Sequence, residues 1–202
     1  MTALRNFLIE ALPRAERTRV LADCQQVELE LGTVLCEAGQ PSRHVWFPTA
    51  GFVSLVAVVK GSPGVEVGMV GSEGMLGTQV ALGVATAPLL ALVQGAGTAW
   101  RMGAGAFKKE IDRSPALRRR LDRYLYVLMA QLATSAACLR FHEIGPRLAR
   151  WLLMMQDRAG ADRFRVTHEF LAFMLGVRRA GISRAAGSLQ HAGLIEYRRG
   201  DF

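Results

Sequence analysis

Cysteine is scarce in this chain. Only Cys24, Cys36 and Cys138 occur, with no C-x-x-C pair and no paired histidine beside them. That excludes the usual zinc and iron–sulfur frameworks and points to three reduced, mostly buried thiols. No cleavable signal pattern is expected at the start either, because Arg5, Glu10, Arg14, Glu16, Arg17 and Arg19 punctuate the first 20 residues. The most apolar run, Val80 to Val93, is too short to span a bilayer and is interrupted by Gly83 and Pro88. No membrane partner and a cytoplasmic address are therefore expected. Nor does any nucleophile, base and orienting group stand in a recognisable pattern, so the expectation is a non-enzyme with no catalytic residue, metal or cofactor.

The rest of the composition is that of a folded protein. Half of the 202 residues are hydrophobic and 21% are charged, enough to bury a substantial core. The formal charge is +8, and its placement is uneven. Residues 1–140 hold 15 Lys/Arg against 11 Asp/Glu, and residues 141–202 hold 10 against 6. Each part is +4, although the second is less than half as long. In 165–199, Arg165, Arg178, Arg179, Arg184, Arg198 and Arg199 face only Glu169 and Glu196. Such a cluster suits phosphate, but a solvated basic face would look the same.

Texture divides the chain further. Two short helices flank Pro13, drawing on Leu4, Phe7, Leu8, Leu12, Val20 and Leu21. From Val27 to Met102 short apolar or alternating runs alternate with glycine and proline: 27–31, 34–37, 44–47, 52–59, 65–70, 89–94 and 98–102. Many short, evenly punctuated strands predict a sandwich, barrel or jelly roll.

After Ser114-Pro115 no glycine or proline interrupts the next 29 residues, which predicts one long helix. Leu121, Leu125, Leu128, Leu132, Ser135 and Leu139 step by 4, 3, 4, 3, 4, a coiled-coil spacing. A second copy of the chain is the expected occupant of that seam, and packing on its own domain is the competing reading. Gly145-Pro146 opens another helix, Arg147 to Arg158, with Leu148, Trp151, Leu152 and Met155 on one side.

The most informative stretch is Thr167 to Ile195. Thr167 can cap a short helix whose inner face is Leu171 and Leu175, and Gly176 ends it where a positive φ is cheap. After a tight turn at Val177-Arg178, a second helix from about Arg179 to His191 has Ile182, Ala185 and Leu189 at core spacing. Ala172 is small enough to let the two helices approach. If those residues point inward, Arg178, Arg179, Ser183, Arg184 and Gln190 are left outside, and all are groove-reading side chains. Arg179 and Arg184 are the expected base readers. Thr167, His168, Arg198 and Arg199 suit phosphate, the last two in what reads as the first strand of a β-wing. The chain stops at Phe202, where a wing would turn back, which leaves open whether the natural chain is longer.

Taken together, these features resemble the Crp/Fnr superfamily of bacterial transcription regulators, from about residue 15 onward. The resemblance is carried by Leu31 to Pro41 (LGTVLCEAGQP), Val45-Trp46-Phe47, Gly51 to Leu55 (GFVSL), the glycine turn Gly71-Ser72-Glu73-Gly74, and Gly176 to Ile195. It implies an α+β fold: an N-terminal β-roll or jelly roll over 1–112, a dimerisation helix over 113–140, and a C-terminal winged helix-turn-helix domain over 141–202. It also implies a homodimer on a palindromic operator in double-stranded DNA, with Leu121, Leu125, Leu128, Leu132 and Leu139 at the dimer interface. RNA polymerase is a further candidate partner. Arg179 and Arg184 align with the family's base-contacting arginines, but Ala180 stands where a glutamate is common. Gly181 replaces a β-branched residue, at a cost of about 1 kcal/mol for a helix-interior glycine.

The family's effector site is only half present. Gly71, Ser72, Glu73 and Gly74 stand where a phosphate-binding cassette would lie, yet Met75 to Gln94 contains no basic residue, and an unpaired buried phosphate is costly. A structural turn and a small-molecule effector site of unknown ligand are the two readings of that loop. His44, His142, His168 and His191 are too scattered for haem or metal. The alternative function is a cyclic-nucleotide-binding signalling module that uses its helices for protein contacts. A ligand-free architectural dimer is a third.

Overall fold

A computed structural model describes residues 5–61 and 64–198. The two leading helices are α1 (Phe7–Glu10) and α2 (Arg14–Ala22). Asn6 Oδ1 accepts from the Leu8 and Ile9 N–H groups, satisfying donors that a helix start leaves open.

Five strands follow: β1 (Cys24–Leu29), β2 (Val34–Cys36), β3 (His44–Ala57), β4 (Val65–Val70) and β5 (Leu90–Gly103). All pair antiparallel in the order β1-β5-β3-β4, and β2 adds to β5. Four of the seven expected runs thus fuse into two long strands. The turn signals at Pro48–Gly51 and Gly95–Gly97 are bends, not breaks: the β3–β5 register shifts three times between Pro48 and Val53. Glycine is obligatory there. A Cβ on Gly97 would meet the Ala50 carbonyl oxygen at 2.2 Å, and one on Gly95 would meet the Phe52 ring at 2.4 Å. The bent strands fold the sheet over Trp46, Val53, Leu55, Val70 and Val93.

Helix α3 (Ala104–Arg113), absent from the sequence-based expectation, packs Phe107 and Ile111 against the sheet's other face with α1, α2 and the start of α4. Ser114 caps α4 (Pro115–Phe141), which runs as one helix as expected. It is long and apolar enough to cross a bilayer. Its apolar residues instead divide between two faces. Leu117, Leu121, Tyr124, Ser135 and Cys138 are buried against the subunit itself, while Tyr126, Met129, Ala130, Ala133, Ala136 and Ala137 are exposed.

The leucines of the expected seam divide by burial within the subunit. Leu121 is 1% exposed within its own core, and Leu125, Leu128 and Leu132 are half-buried beside the sheet. Only Leu139 of that set is exposed. Leucines at 4,3 spacing mark a buried face without saying what buries it.

Three helices complete the chain: α5 (Ile144–Ala159), α6 (His168–Leu175) and α7 (Arg179–His191). Pro146 lies in the first turn of α5, where its missing N–H costs nothing. Leu148, Trp151, Leu152, Met155, Leu171, Leu175, Ile182 and Ala185 form one core, and Phe52, Val56 and Met69 of the sheet belong to it as well. The C-terminal helices are therefore docked on β3 and β4. Cys138 is buried, Cys24 and Cys36 are half-buried, and all three are free thiols.

Candidate nucleic-acid interface

The Thr167 hydroxyl accepts from the Phe170 N–H at 3.1 Å and caps α6. Nine residues later Gly176, at φ +62°, stops it, and the Val177 N–H returns to the Ala172 carbonyl at 2.9 Å. That left-handed stop is the C-terminal motif in which glycine avoids a Cβ penalty. Val177 and Arg178 make the turn, and α7 starts at Arg179.

The inner face of α7 is Gly181, Ile182, Ala185 and Ala186, all buried. Gly181 has a packing reason: a Cβ there would lie 2.5 Å from Ile144 Cδ1, at the first turn of α5. The outer face is Arg178, Arg179, Ser183, Arg184 and Gln190, all exposed. Three arginines thus project from one helix, at its start and one turn on, held outward by a hydrophobic back.

Thr167, His168 and Gln190 are already engaged within the chain. The Thr167 hydroxyl is the α6 cap. His168 Nδ1 and Ser183 Oγ are hydrogen-bonded at 3.0 Å, and the His168 ring stacks on Tyr197 with centroids 4.5 Å apart. Burial, then the Arg179 charge, lower the His168 pKa, so the imidazole resists carrying charge beside phosphate. Gln190 Nε2 donates to the Tyr197 carbonyl at 3.4 Å, tying the end of α7 to the segment that follows. Tyr197 is the residue that the sequence did not single out, though an aromatic just beyond a helix was the available signal. Among the described residues, 192–198 contain an isolated bridge at Arg198 but no strand; Arg198 is exposed, and Arg199 lies outside the described residues.

The glycine turn at Gly71, Ser72, Glu73 and Gly74 presents no open cradle. The Ser72 carbonyl accepts from the Phe7 N–H at 2.8 Å, and the Gly74 carbonyl accepts from Asn6 Nδ2 at 2.8 Å. The Glu73 carboxylate accepts from the Gly71 N–H and pairs with Arg158 at 2.8 Å. A Cβ on Gly74 would fall 2.2 Å from the Tyr124 phenol oxygen, so Gly74 is required by packing. Of the two readings of the loop, the structural turn describes these contacts.

A separate cavity of about 210 Å³ opens just beyond that turn, between the sheet and α4. Met75, Leu76, Leu82, Leu89, Leu128 and Leu132 are among its walls, and no basic residue lines it. Ser42 and Gln79 give it one polar end, where Gln79 Nε2 donates to Ser42 Oγ at 2.6 Å.

Residues 146–202 match the Crp-like helix-turn-helix domain family. No curated protein sequence matches the chain. Among solved structures it is similar to the c-di-GMP-responsive global regulator CLP of Xanthomonas campestris, at 18% identity over 94% of this chain and 97% of that one, with a TM-score of 0.76. A Crp/Fnr-family regulator from Eubacterium rectale matches at 15% identity over 96% and 91%, TM-score 0.74. Another from Thermus thermophilus matches at 20% over 88% and 91%, TM-score 0.71. At these identities the likeness is one of fold, and its bearers are transcription regulators, not enzymes.

Proposed function

We propose that this chain, a transcription regulator of the Crp/Fnr fold with a Crp-like helix-turn-helix domain, binds a palindromic operator as a homodimer in the cytoplasm. The observation that carries this reading is the two-sidedness of α7, with Ile182, Ala185 and Ala186 buried and Arg178, Arg179 and Arg184 exposed. Arg179 and Arg184 read base edges, where a bidentate arginine–guanine pair is worth about 1–3 kcal/mol of discrimination. Arg178 and Arg198 hold phosphate and fix the register. The sensor is 1–112, the pairing helix 113–140 and the DNA-binding domain 141–202.

The second copy pairs through the exposed face of α4. Tyr126, Met129, Ala133, Ala136 and Arg140 repeat at heptad spacing, and alanines let two helix backbones come close. Two recognition helices then meet successive major grooves about 34 Å apart. The effector enters the cavity between the sheet and α4. With no cation in the lining, it is an uncharged, mostly apolar small molecule with a hydrogen-bonding end at Ser42 and Gln79. RNA polymerase is the further partner.

Selecting bound sequences from a random DNA pool tests the reading. Enrichment of a palindrome with half-sites about one helical turn apart supports it. Recovery of unenriched DNA with steep salt dependence would reduce the protein to non-specific phosphate binding.

A further inference from the structure

The turn at residues 71–76 is touched by the leading helix, the sheet, α4 and α5. The leading helix holds it through Asn6 and Phe7, as described above. Tyr124 of α4 lies over Gly74 and donates its hydroxyl to the Met75 carbonyl at 3.3 Å. Met75 and Leu76 are walls of the apolar cavity. From the DNA-binding side, Arg158 near the end of α5 reaches across to the same turn.

Arg158 is unusually committed. Its Nη2 lies 2.8 Å from Glu73 Oε1 and 3.5 Å from the Met69 carbonyl on β4, while Nη1 donates to the Met154 carbonyl of its own helix at 3.0 Å. Its side chain is only 11% exposed, against 38% for Glu73. Gly71 is shaped to it, since a Cβ there would stand 2.9 Å from Arg158 Cγ. Glu73 is also the only ion-pair partner found for Arg158 among the described residues. Removing the carboxylate takes away the ion-pair partner of a mostly buried guanidinium, which costs more than the loss of a fully exposed surface pair.

We infer that the 71–76 turn is a mechanical junction and that the Glu73–Arg158 pair is the clasp holding the DNA-binding domain onto the sensor. It rests on the functional reading above for its meaning in regulation, but not for its physical test. One side of the turn is cavity wall, the other grips α5, and α5 shares its core with α6 and α7. The glutamate that a nucleotide site would use for a ligand here faces a protein arginine.

Cys138 offers a built-in probe. It is 8% exposed, on the face of α4 that lies beneath α5, in a small crevice with Arg147, Trp151 and Leu175. Its labelling by N-ethylmaleimide, followed by peptide mass spectrometry on the full chain without DNA, reports undocking. Glu73→Gln and Arg158→Met should each speed labelling about fivefold, and the double variant should add little to either. The swapped pair, Glu73→Arg with Arg158→Glu, should return the rate to within about twofold of the parent. Unchanged rates in the single variants, or effects that multiply in the double, would overturn the clasp. So would equal acceleration at Cys24, a thiol at the sheet's far edge, because that marks general loosening. If DNA selection yields an operator while Cys138 labelling stays constant, only the clasp falls; the reverse pattern removes the DNA reading and leaves the clasp.

Discussion

Helices α4 and α7 pose the same problem and present opposite solutions. Each buries one face in its own subunit and leaves another in solvent. On α7 the outer face is Arg178, Arg179, Ser183 and Arg184; on α4 it is Tyr126, Met129, Ala130, Ala133 and Ala137. A cationic outer face is comfortable in water and gains most by meeting phosphate. A face of alanines with a tyrosine and a methionine gains by leaving water, and a matching face on a second copy is the nearest apolar partner. What the outer residues offer, more than helix length or periodicity, separates the proposed reading helix from the proposed pairing helix.

The comparison breaks first at α4. Ala133→Glu puts like charges opposite each other in the proposed seam and should give monomers at micromolar concentration, with operator affinity lowered by about 100-fold or more as the two half-sites lose their linkage. Sedimentation and fluorescence anisotropy check both effects. Leu121→Ala is the counter-test on the inner face. It should cost about 2–5 kcal/mol of stability in denaturant titration while the remaining folded protein stays dimeric. A Leu121→Ala chain that is stable but monomeric would return the seam to the leucine face.

A smaller effect belongs to α6. Thr167→Ala removes the cap and should lower stability by about 1 kcal/mol, read as a lower Tm, while reducing operator affinity little. Proton linkage gives the subtlest test. Burial pushes the Glu66 carboxyl up to about 8, against the pull of its hydrogen bond from Ser54 at 2.5 Å. The folded chain then binds a proton that the unfolded chain releases near its ordinary 4.5, so this stabilisation is full below that value and fades as pH rises through 8. Glu66→Gln should flatten the decline of Tm over that window; an unchanged pH profile would show that Glu66 is not its source.

How much the sequence discloses depends on how local the structure is. Thr167, Gly176 and the α7 core positions act over one or two turns, and both the element boundaries and the outward arginines follow from them. The long helix is equally plain, but its pairing face is not, since leucine spacing cannot say which of two apolar faces meets the sheet. Pro48, Gly51, Gly95 and Gly97 look like turns because the residues they approach lie on another strand. The cavity is hidden for the same reason, as Ser42, Gln79, Leu89 and Leu128 come from separate segments. The loop around Glu73 read either as a structural turn or as a ligand site because nothing near it in sequence reveals Arg158.

The most direct test concerns the outer face of α7. Arg179→Ala should be titrated against the selected operator and against a scrambled duplex of equal length at fixed salt. A loss of about 10- to 100-fold on the operator, with less than about threefold on the scrambled duplex, is the predicted result. Equal losses on both would reduce Arg179 to a phosphate contact and contradict the account.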